Sequence, residues 1–106
     1  MSAIVKIGRG GSFELEPGDG AFAYGEGLFE TIQLRAGGLC FWRAHWARLA
    51  ASAEALGFVL PQEEAVLAAL REWLAAEGRE SGIVKLSLVR QGEGCVLYIY
   101  GRKEPD

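Results

Sequence analysis

Residues 28–56 run LFETIQLRAGGLCFWRAHWARLAASAEAL, and a change of period within them decides the fold. Residues 28–35 predict a strand in which Leu28, Glu30, Ile32 and Leu34 share one face, and the four residues between and after them share the other. Gly37-Gly38 predicts a hairpin turn, with residues 39–42 pairing back. Residues 43–56 predict a helix, because apolar side chains recur every three or four positions: Trp46, Leu49, Ala53 and Leu56.

The flanking segments extend the same pattern in both directions. Residues 4–7 predict a strand, Gly8-Arg9-Gly10-Gly11 a turn, and residues 12–15 its return strand. Glycines at 57 and 78 predict the ends of the two helices. The second helix is predicted to open at Pro61 and to bury one face, composed of Val66, Leu67, Leu70, Trp73 and Leu74.

Two further strands, residues 83–90 and 96–100, complete the predicted order of strands, two helices and strands. Hairpin connections favour antiparallel pairing, and segregated helices favour an α+β fold. We therefore predict a single domain over residues 1–106, with a mostly antiparallel sheet and two helices packed on one face.

Composition excludes several classes of protein. The 106 residues are 50% hydrophobic and 24% charged, which suits one domain with a real core and argues against disorder. No apolar run approaches the ~20 residues of a membrane span, and no secretory signal is evident, so a cytoplasmic protein is expected. A net charge of −3 without like-charge runs argues against nucleic acid as the partner. Two isolated cysteines and one histidine predict no metal site; both thiols are expected to be small buried hydrophobes.

A polar trio flanks the apolar stripe of the first helix. His45, Arg48 and Ser52 lie within about 60° of one another on a helical wheel. An arginine beside an imidazole and a hydroxyl suits an anion, particularly phosphate. Spacing alone favours a simpler interpretation, in which Arg48 extends from the edge of the core to water.

Glu30 shares its strand face with Ile32 and Leu34, so its carboxylate needs a partner or a raised pKa if it is buried. It is either an acid at a strand end that reaches solvent or a site carboxylate held by an arginine or by backbone N–H groups. The residues alone leave both alternatives open.

Three ordered motifs resemble those of class IV aminotransferases, which are fold-type IV pyridoxal 5′-phosphate enzymes. YGEGLFET, residues 24–31, resembles their YGDGxFET. HWARL, residues 45–49, resembles HxxRL, and VKLSLVR, residues 84–90, resembles the strand that leads into RGxGxRG. The similarity runs from about residue 18 to residue 94. The sequences of the motifs are closer to those of 4-amino-4-deoxychorismate lyase than to those of branched-chain aminotransferases.

The resemblance implies roles for particular residues. Arg48 matches the arginine that holds the cofactor phosphate, and His45 matches a supporting histidine one helical turn before it. Phe29 and Glu30 lie in the strand that borders the substrate pocket, and Arg90 ends the strand that leads to the substrate loop. Tyr24 is expected near a dimer partner's pocket. The implied substrate is an amino acid or an aminodeoxychorismate-like small molecule.

Two departures limit what the resemblance implies. QGEGC, residues 91–95, replaces RGxGxRG and lacks its second arginine. In the family, the Schiff-base lysine lies in a second domain, and Lys6, Lys85 and Lys103 match no catalytic lysine. Because this chemistry needs an amine to hold the aldehyde, we expect no catalytic residue in this chain and neither transamination nor elimination by it alone.

Three hypotheses follow for the chain as a whole. The first is the N-terminal half of a family enzyme, completed by a missing C-terminal half. The second is a stand-alone, non-catalytic binding or oligomerisation module, whose apolar surface is covered by self-association or by another partner. The third, placed last, is an active enzyme with a novel site around Glu30, His45 and Arg48.

Overall fold

Five strands and two helices follow one another in the part of the chain that the structure describes. The structure is a computed structural model and describes residues 3–7 and 27–102. The elements are β1 (Ala3–Ile7), β2 (Gly27–Arg35), β3 (Gly38–Leu39), α1 (Trp42–Leu56), α2 (Glu63–Glu77), β4 (Gly82–Gln91) and β5 (Gly94–Arg102). The predicted α+β class is confirmed. The turn predicted at residues 8–11 and the strand predicted at residues 12–15 lie outside the described residues.

The strands form one sheet in the order β1-β5-β4-β2-β3. Strand β4 lies at its centre and pairs antiparallel with both β2 and β5, while β3 pairs antiparallel with β2. Strand β1 is added at the edge, parallel to β5, a pairing that the sequence pattern did not predict. The sheet is therefore mostly antiparallel, as predicted.

Both helices pack on the same face of this sheet. Alternation in β2 places Glu30, Ile32 and Leu34 toward the helices, and the register carries this face across β4 and β5. The core joins these strands to both helices through Ile32, Leu34, Val84, Leu86, Leu88, Cys95, Leu97, Ile99, Leu49, Ala53, Val66, Leu70 and Trp73. The prediction of two helices on one face is confirmed.

The return strand of the first hairpin is shorter than predicted. Cys40 N–H still donates to the carbonyl of Gln33, but Phe41 takes a left-handed conformation with φ of 58°. This reversal ends the pairing and starts α1 at Trp42. At the other end of α1, Leu56 is 58% exposed, so the apolar stripe that was predicted to include it is buried only as far as Ala53.

Helix α2 begins two residues later than predicted. Gln62 is extended, with ψ of 136°, so the helical repeat starts at Glu63 rather than at Pro61. Both predicted stops are confirmed, because Gly57 and Gly78 take the left-handed conformation that glycine adopts without a steric cost.

The two cysteines are free: Cys95 is buried and accepts a hydrogen bond from Val59 N–H at 3.2 Å, while Cys40 is half-buried. Neither described helix is long and apolar enough to cross a membrane.

Replacing Gly27 with alanine tests how closely β2 and β4 approach. A Cβ at Gly27 would lie 2.9 Å from the carbonyl oxygen of Leu88, whereas one at Gly38 would come no nearer than 3.6 Å to any atom outside its neighbours. We expect Gly27→Ala to lower the free energy of unfolding by about 1–3 kcal/mol in urea denaturation. Gly38→Ala should change it by less than about 0.5 kcal/mol. Equal effects would contradict the close approach.

Candidate functional site

Glu30 is a charged side chain that the sheet buries against α1. It lies on β2 opposite Leu86 of β4 and is 8% exposed. A carboxylate removed from water needs partners that replace its hydration. Those partners come from α1.

Arg48 and His45 hold Glu30 from one side of α1, where residues three apart are neighbours. Arg48 donates from Nε to Oε2 of Glu30 at 3.0 Å and from Nη2 to Oε1 at 2.7 Å. Nδ1 of His45 lies 2.7 Å from the same Oε1. The alternative in which an arginine holds Glu30 is therefore confirmed, and the solvent-reaching acid is wrong. Ser52, the third member of the predicted polar trio, makes no hydrogen bond with either of the other two.

These hydrogen bonds shift the pKa values of Glu30 and Arg48. Hydrogen bonds from Arg48 lower the pKa of Glu30 below its ordinary value, with a smaller contribution from His45, although burial opposes the shift. The same hydrogen bonds raise the pKa of Arg48. At neutral pH the pair is therefore an ionised carboxylate and a guanidinium.

The guanidinium of Arg48 is held on its inner edge and open on its outer edge. The side chain of Arg48 is 66% exposed, whereas that of Glu30 is 7% exposed. Within residues 27–102, Nη1 of Arg48 has no hydrogen-bond partner. An open guanidinium edge binds phosphate or carboxylate through parallel N–H donors. Anion binding is the chemistry that this arrangement offers.

Not all predicted site residues join this cluster, which we define as Glu30, His45 and Arg48. Phe29 lies on the opposite face of β2 and is 49% exposed. Tyr24 lies outside the described residues. The substrate-pocket roles of Phe29, Tyr24 and Arg90 stay predictions.

Arg90 binds the C-terminal end of α1. Its Nη2 donates to the carbonyl oxygen of Leu56, the last residue of the helix. Its guanidinium carbon lies 3.8 Å from the centroid of the Phe58 ring. A cation there compensates the negative end of the helix dipole. The available signal in the sequence was that Arg90 shares a strand face with Leu86 and Leu88.

Sequence reasoning also missed an open groove between α2 and the β2–β3 hairpin. Its lining includes Leu39, Leu67 and Leu74, together with Arg71 and Arg79. Trp42 borders the groove, stacks on Trp46 at 5.5 Å and donates from Nε1 to Glu63 at 2.8 Å. Across the described residues, no group of three or more His, Cys, Asp or Glu side chains is placed to hold a metal ion.

Comparison with known families places this cluster in a known context. The model of the family described as "Amino-transferase class IV" matches residues 27–104, which include Glu30, His45 and Arg48. The chain belongs to the amino-transferase class IV family. Enzymes of this family depend on pyridoxal 5′-phosphate. No curated protein sequence matches the chain significantly.

Two solved structures share the class IV fold with this chain. A putative 4-amino-4-deoxychorismate lyase from Legionella pneumophila subsp. pneumophila str. Philadelphia 1 superposes with a TM-score of 0.74 at 23% identity, over 99% of this chain and 42% of the lyase chain. The 4-amino-4-deoxychorismate lyase from Pseudomonas aeruginosa gives a TM-score of 0.56 at 31% identity, over 87% of this chain and 37% of the lyase chain. This chain thus spans about two fifths of the length of either lyase.

The ion pair predicts a pH dependence of stability that Glu30→Gln removes. A pKa lowered from about 4.5 stabilises the fold above that value, and the contribution is lost as pH falls through the pKa of the folded protein. We expect wild type to exceed Glu30→Gln by about 1–3 kcal/mol in free energy of unfolding at pH 7. The difference should shrink progressively below pH 4.5.

The control for this experiment is Glu72→Gln, because Glu72 is exposed on α2. It should change the free energy of unfolding by less than about 0.5 kcal/mol at pH 7. A difference between wild type and Glu30→Gln that stays constant down to pH 3 would contradict the lowered pKa.

Removing the cap on α1 tests the structural role of Arg90. Arg90→Met keeps most of the side-chain stem and loses the hydrogen bond to Leu56, so we expect a loss of about 1 kcal/mol in thermal or urea unfolding. Arg71→Met, on the exposed side of α2, is the matched control and should have little effect. If the two variants are equally stable, Arg90 does not cap the helix.

Proposed function

We propose that this chain supplies the phosphate-binding part of a pyridoxal 5′-phosphate site, with Arg48 as the residue that binds the cofactor phosphate. The observation that carries the proposal is the open outer edge of Arg48, whose inner edge is fixed by buried Glu30. The motif HWARL matches the family's HxxRL at this arginine, which supports the same assignment.

The donor set fits the phosphate of the cofactor. A phosphate dianion needs N–H donors and positive charge, and the exposed edge of Arg48 offers both. Glu30 neutralises one positive charge within the cluster, so further donors from outside it complete the proposed site. When bound, the cofactor supplies an aldehyde and an electron-accepting ring for reactions of amino acids.

The same residues do not supply the amine that must hold this aldehyde. Lys85 lies on the face of β4 opposite that of Leu86, and therefore on the other side of the sheet from Glu30. It pairs across the strands with Thr31 and Tyr100. We therefore propose that the chain binds the cofactor phosphate without catalysis, and that a C-terminal half completes the enzyme in the cytoplasm.

The substrate proposed for the complete enzyme is an amino acid or an aminodeoxychorismate-like molecule. Two observations support the second of these. The motif YGEGLFET has a lyase-like form, and the structure from Pseudomonas aeruginosa reported above, which is 31% identical to this chain, is a 4-amino-4-deoxychorismate lyase. We place Phe29, on the exposed face of β2, at the border of the substrate pocket.

A second candidate is a stand-alone, non-catalytic binding or oligomerisation module. It is favoured by three large apolar side chains that are exposed, namely Phe29 at 49%, Phe41 at 82% and Leu56 at 58%. Large apolar side chains that are exposed are the ones that contact with a second copy or with another partner would cover. A single defined homo-oligomer that does not bind the cofactor would support this candidate.

Binding of pyridoxamine 5′-phosphate tests the role of Arg48. This compound has the phosphate and lacks the aldehyde, so it forms no adduct with surface lysines. We expect the 106-residue chain to bind it more tightly than pyridoxamine, and Arg48→Met to weaken binding about 10- to 100-fold in a fluorescence titration. Arg71→Met is the control and should bind as wild type does. Equal affinities for wild type and Arg48→Met would refute the assignment.

Reduction with borohydride tests whether the chain is a catalyst by itself. With pyridoxal 5′-phosphate present, we expect no preferred lysine adduct by mass spectrometry and no turnover of amino acid or aminodeoxychorismate. A stoichiometric adduct at one lysine, together with turnover, would show that these 106 residues form a complete enzyme.

A further inference from the structure

In the cluster of Glu30, His45 and Arg48, the guanidinium alone could bind an anion, yet Glu30 and His45 also contact each other and Arg48. We infer that Glu30 is a positioning residue that aims the open edge of Arg48, and that His45 supports it as the tautomer that carries its proton on Nδ1. This inference rests on the proposed function of Arg48 and adds the residues that set its direction.

The paired hydrogen bonds from Arg48 to the two carboxylate oxygens of Glu30 fix the orientation of the guanidinium. Glu30 accepts from Nε and from Nη2, so both carboxylate oxygens engage one edge of a planar group. Two bonds of 3.0 and 2.7 Å restrain rotation about the last torsions of the Arg48 side chain. The Nη1 donors then project in one direction, which lowers the ordering cost of binding an anion.

The short contact with Glu30 assigns the tautomer of His45. Nδ1 lies 2.7 Å from Oε1, a distance that requires a proton between the two atoms. Arg48 lowers the pKa of the Glu30 carboxyl, so the oxygen carries no proton and the nitrogen must. Nδ1 therefore donates to Oε1.

This assignment also explains the third contact in the cluster. Nη2 of Arg48 lies 3.2 Å from Nδ1 of His45. Two donors that converge on one oxygen come this close without bonding to each other. Oε1 of Glu30 thus accepts one hydrogen bond from Nη2 of Arg48 and one from Nδ1 of His45. The bond from His45 fixes the carboxylate that in turn orients Arg48.

A positioning role and a simple charge effect of Glu30 predict opposite results. As a negative charge close to an anion site, Glu30 opposes anion binding, so its neutralisation would tighten binding. As a positioning group, its loss frees the guanidinium and weakens binding. Glu30→Gln separates the two effects because it removes the charge and one of the two acceptors at nearly constant volume.

The binding experiment compares pyridoxamine 5′-phosphate with pyridoxamine in four variants. We expect Glu30→Gln and His45→Ala to weaken binding of the phosphate compound about 3- to 10-fold and to leave pyridoxamine unchanged. His45→Asn, whose amide can donate from the place of Nδ1, should restore most of the affinity. Tighter binding by Glu30→Gln would overturn the positioning role.

The arm with Arg48→Met separates the two proposals. If Arg48→Met binds the phosphate compound as wild type does, the proposed function fails. If Arg48→Met weakens binding while Glu30→Gln and His45→Ala do not, the phosphate role stands and the positioning role fails. Thermal unfolding of each variant shows that it is folded at the temperature of the titration.

Nitrogen-15 NMR tests the geometry without any ligand. His45 is the single histidine of the chain, so its ring resonances need no further assignment. We expect a protonated Nδ1 in wild type, and a shift toward the Nε2–H tautomer in Glu30→Gln. We also expect a slowly exchanging Nε–H resonance of Arg48 that Glu30→Gln abolishes. An Nε2–H tautomer in wild type would overturn the inference even if no ligand binds.

Discussion

The buried carboxylate of Glu30 is the constraint on which the site depends. It lies on the sheet face that packs against the helices, where only a hydrogen-bonded and charge-balanced group is stable. Its two partners are one turn apart on α1, so satisfying Glu30 also fixes the rotation of α1 about its axis relative to β2. Packing of Leu49 and Ala53 into the core sets the same rotation independently. The apolar and polar contacts thus agree on one placement of α1, which is what brings an exposed arginine to a defined position at the edge of the fold.

Most of the local structure was predictable because the spacing of apolar residues depends on the type of element: every second residue in a strand, and every third or fourth residue in a helix. Alternation in residues 28–35 gave the faces of β2 correctly, and the glycines at 57 and 78 ended both helices where predicted. The errors lie at boundaries that backbone geometry decides. The left-handed conformation of Phe41 shortens the hairpin, and the extended conformation of Gln62 delays α2. Neither side chain is a usual signal for such a conformation, so propensity could not identify them.

The site itself was predictable only in part, since its contacts join distant segments. The wheel placed His45 and Arg48 together, and alternation placed Glu30 on the core face, but no local pattern states that these two faces meet. That depends on how α1 crosses the sheet. The same limit applies to Arg90, whose capping contact with Leu56 spans 34 residues, and to the parallel pairing of β1 with β5. The motif resemblance assigned Arg48 to the cofactor phosphate and Glu30 to the strand that borders the substrate pocket, without indicating that Glu30 binds Arg48.

Because side chains alternate between the two faces of β2, the charged Glu30 and the apolar Phe29 lie on opposite sides of the sheet. Glu30 points toward the helices and stabilises a cation, whereas Phe29, one residue earlier, presents an exposed apolar ring on the other face. Within residues 27–102 the three members of the polar cluster contact one another, and one guanidinium edge of Arg48 is left without a partner there. The ring of Phe29 is half exposed, and its role at a substrate pocket stays a prediction. A guanidinium that is held on one edge and open on the other, with an exposed ring on the opposite face of the same strand, is the arrangement that the proposed function requires of a domain that binds one part of a cofactor and leaves the reacting part to a second domain.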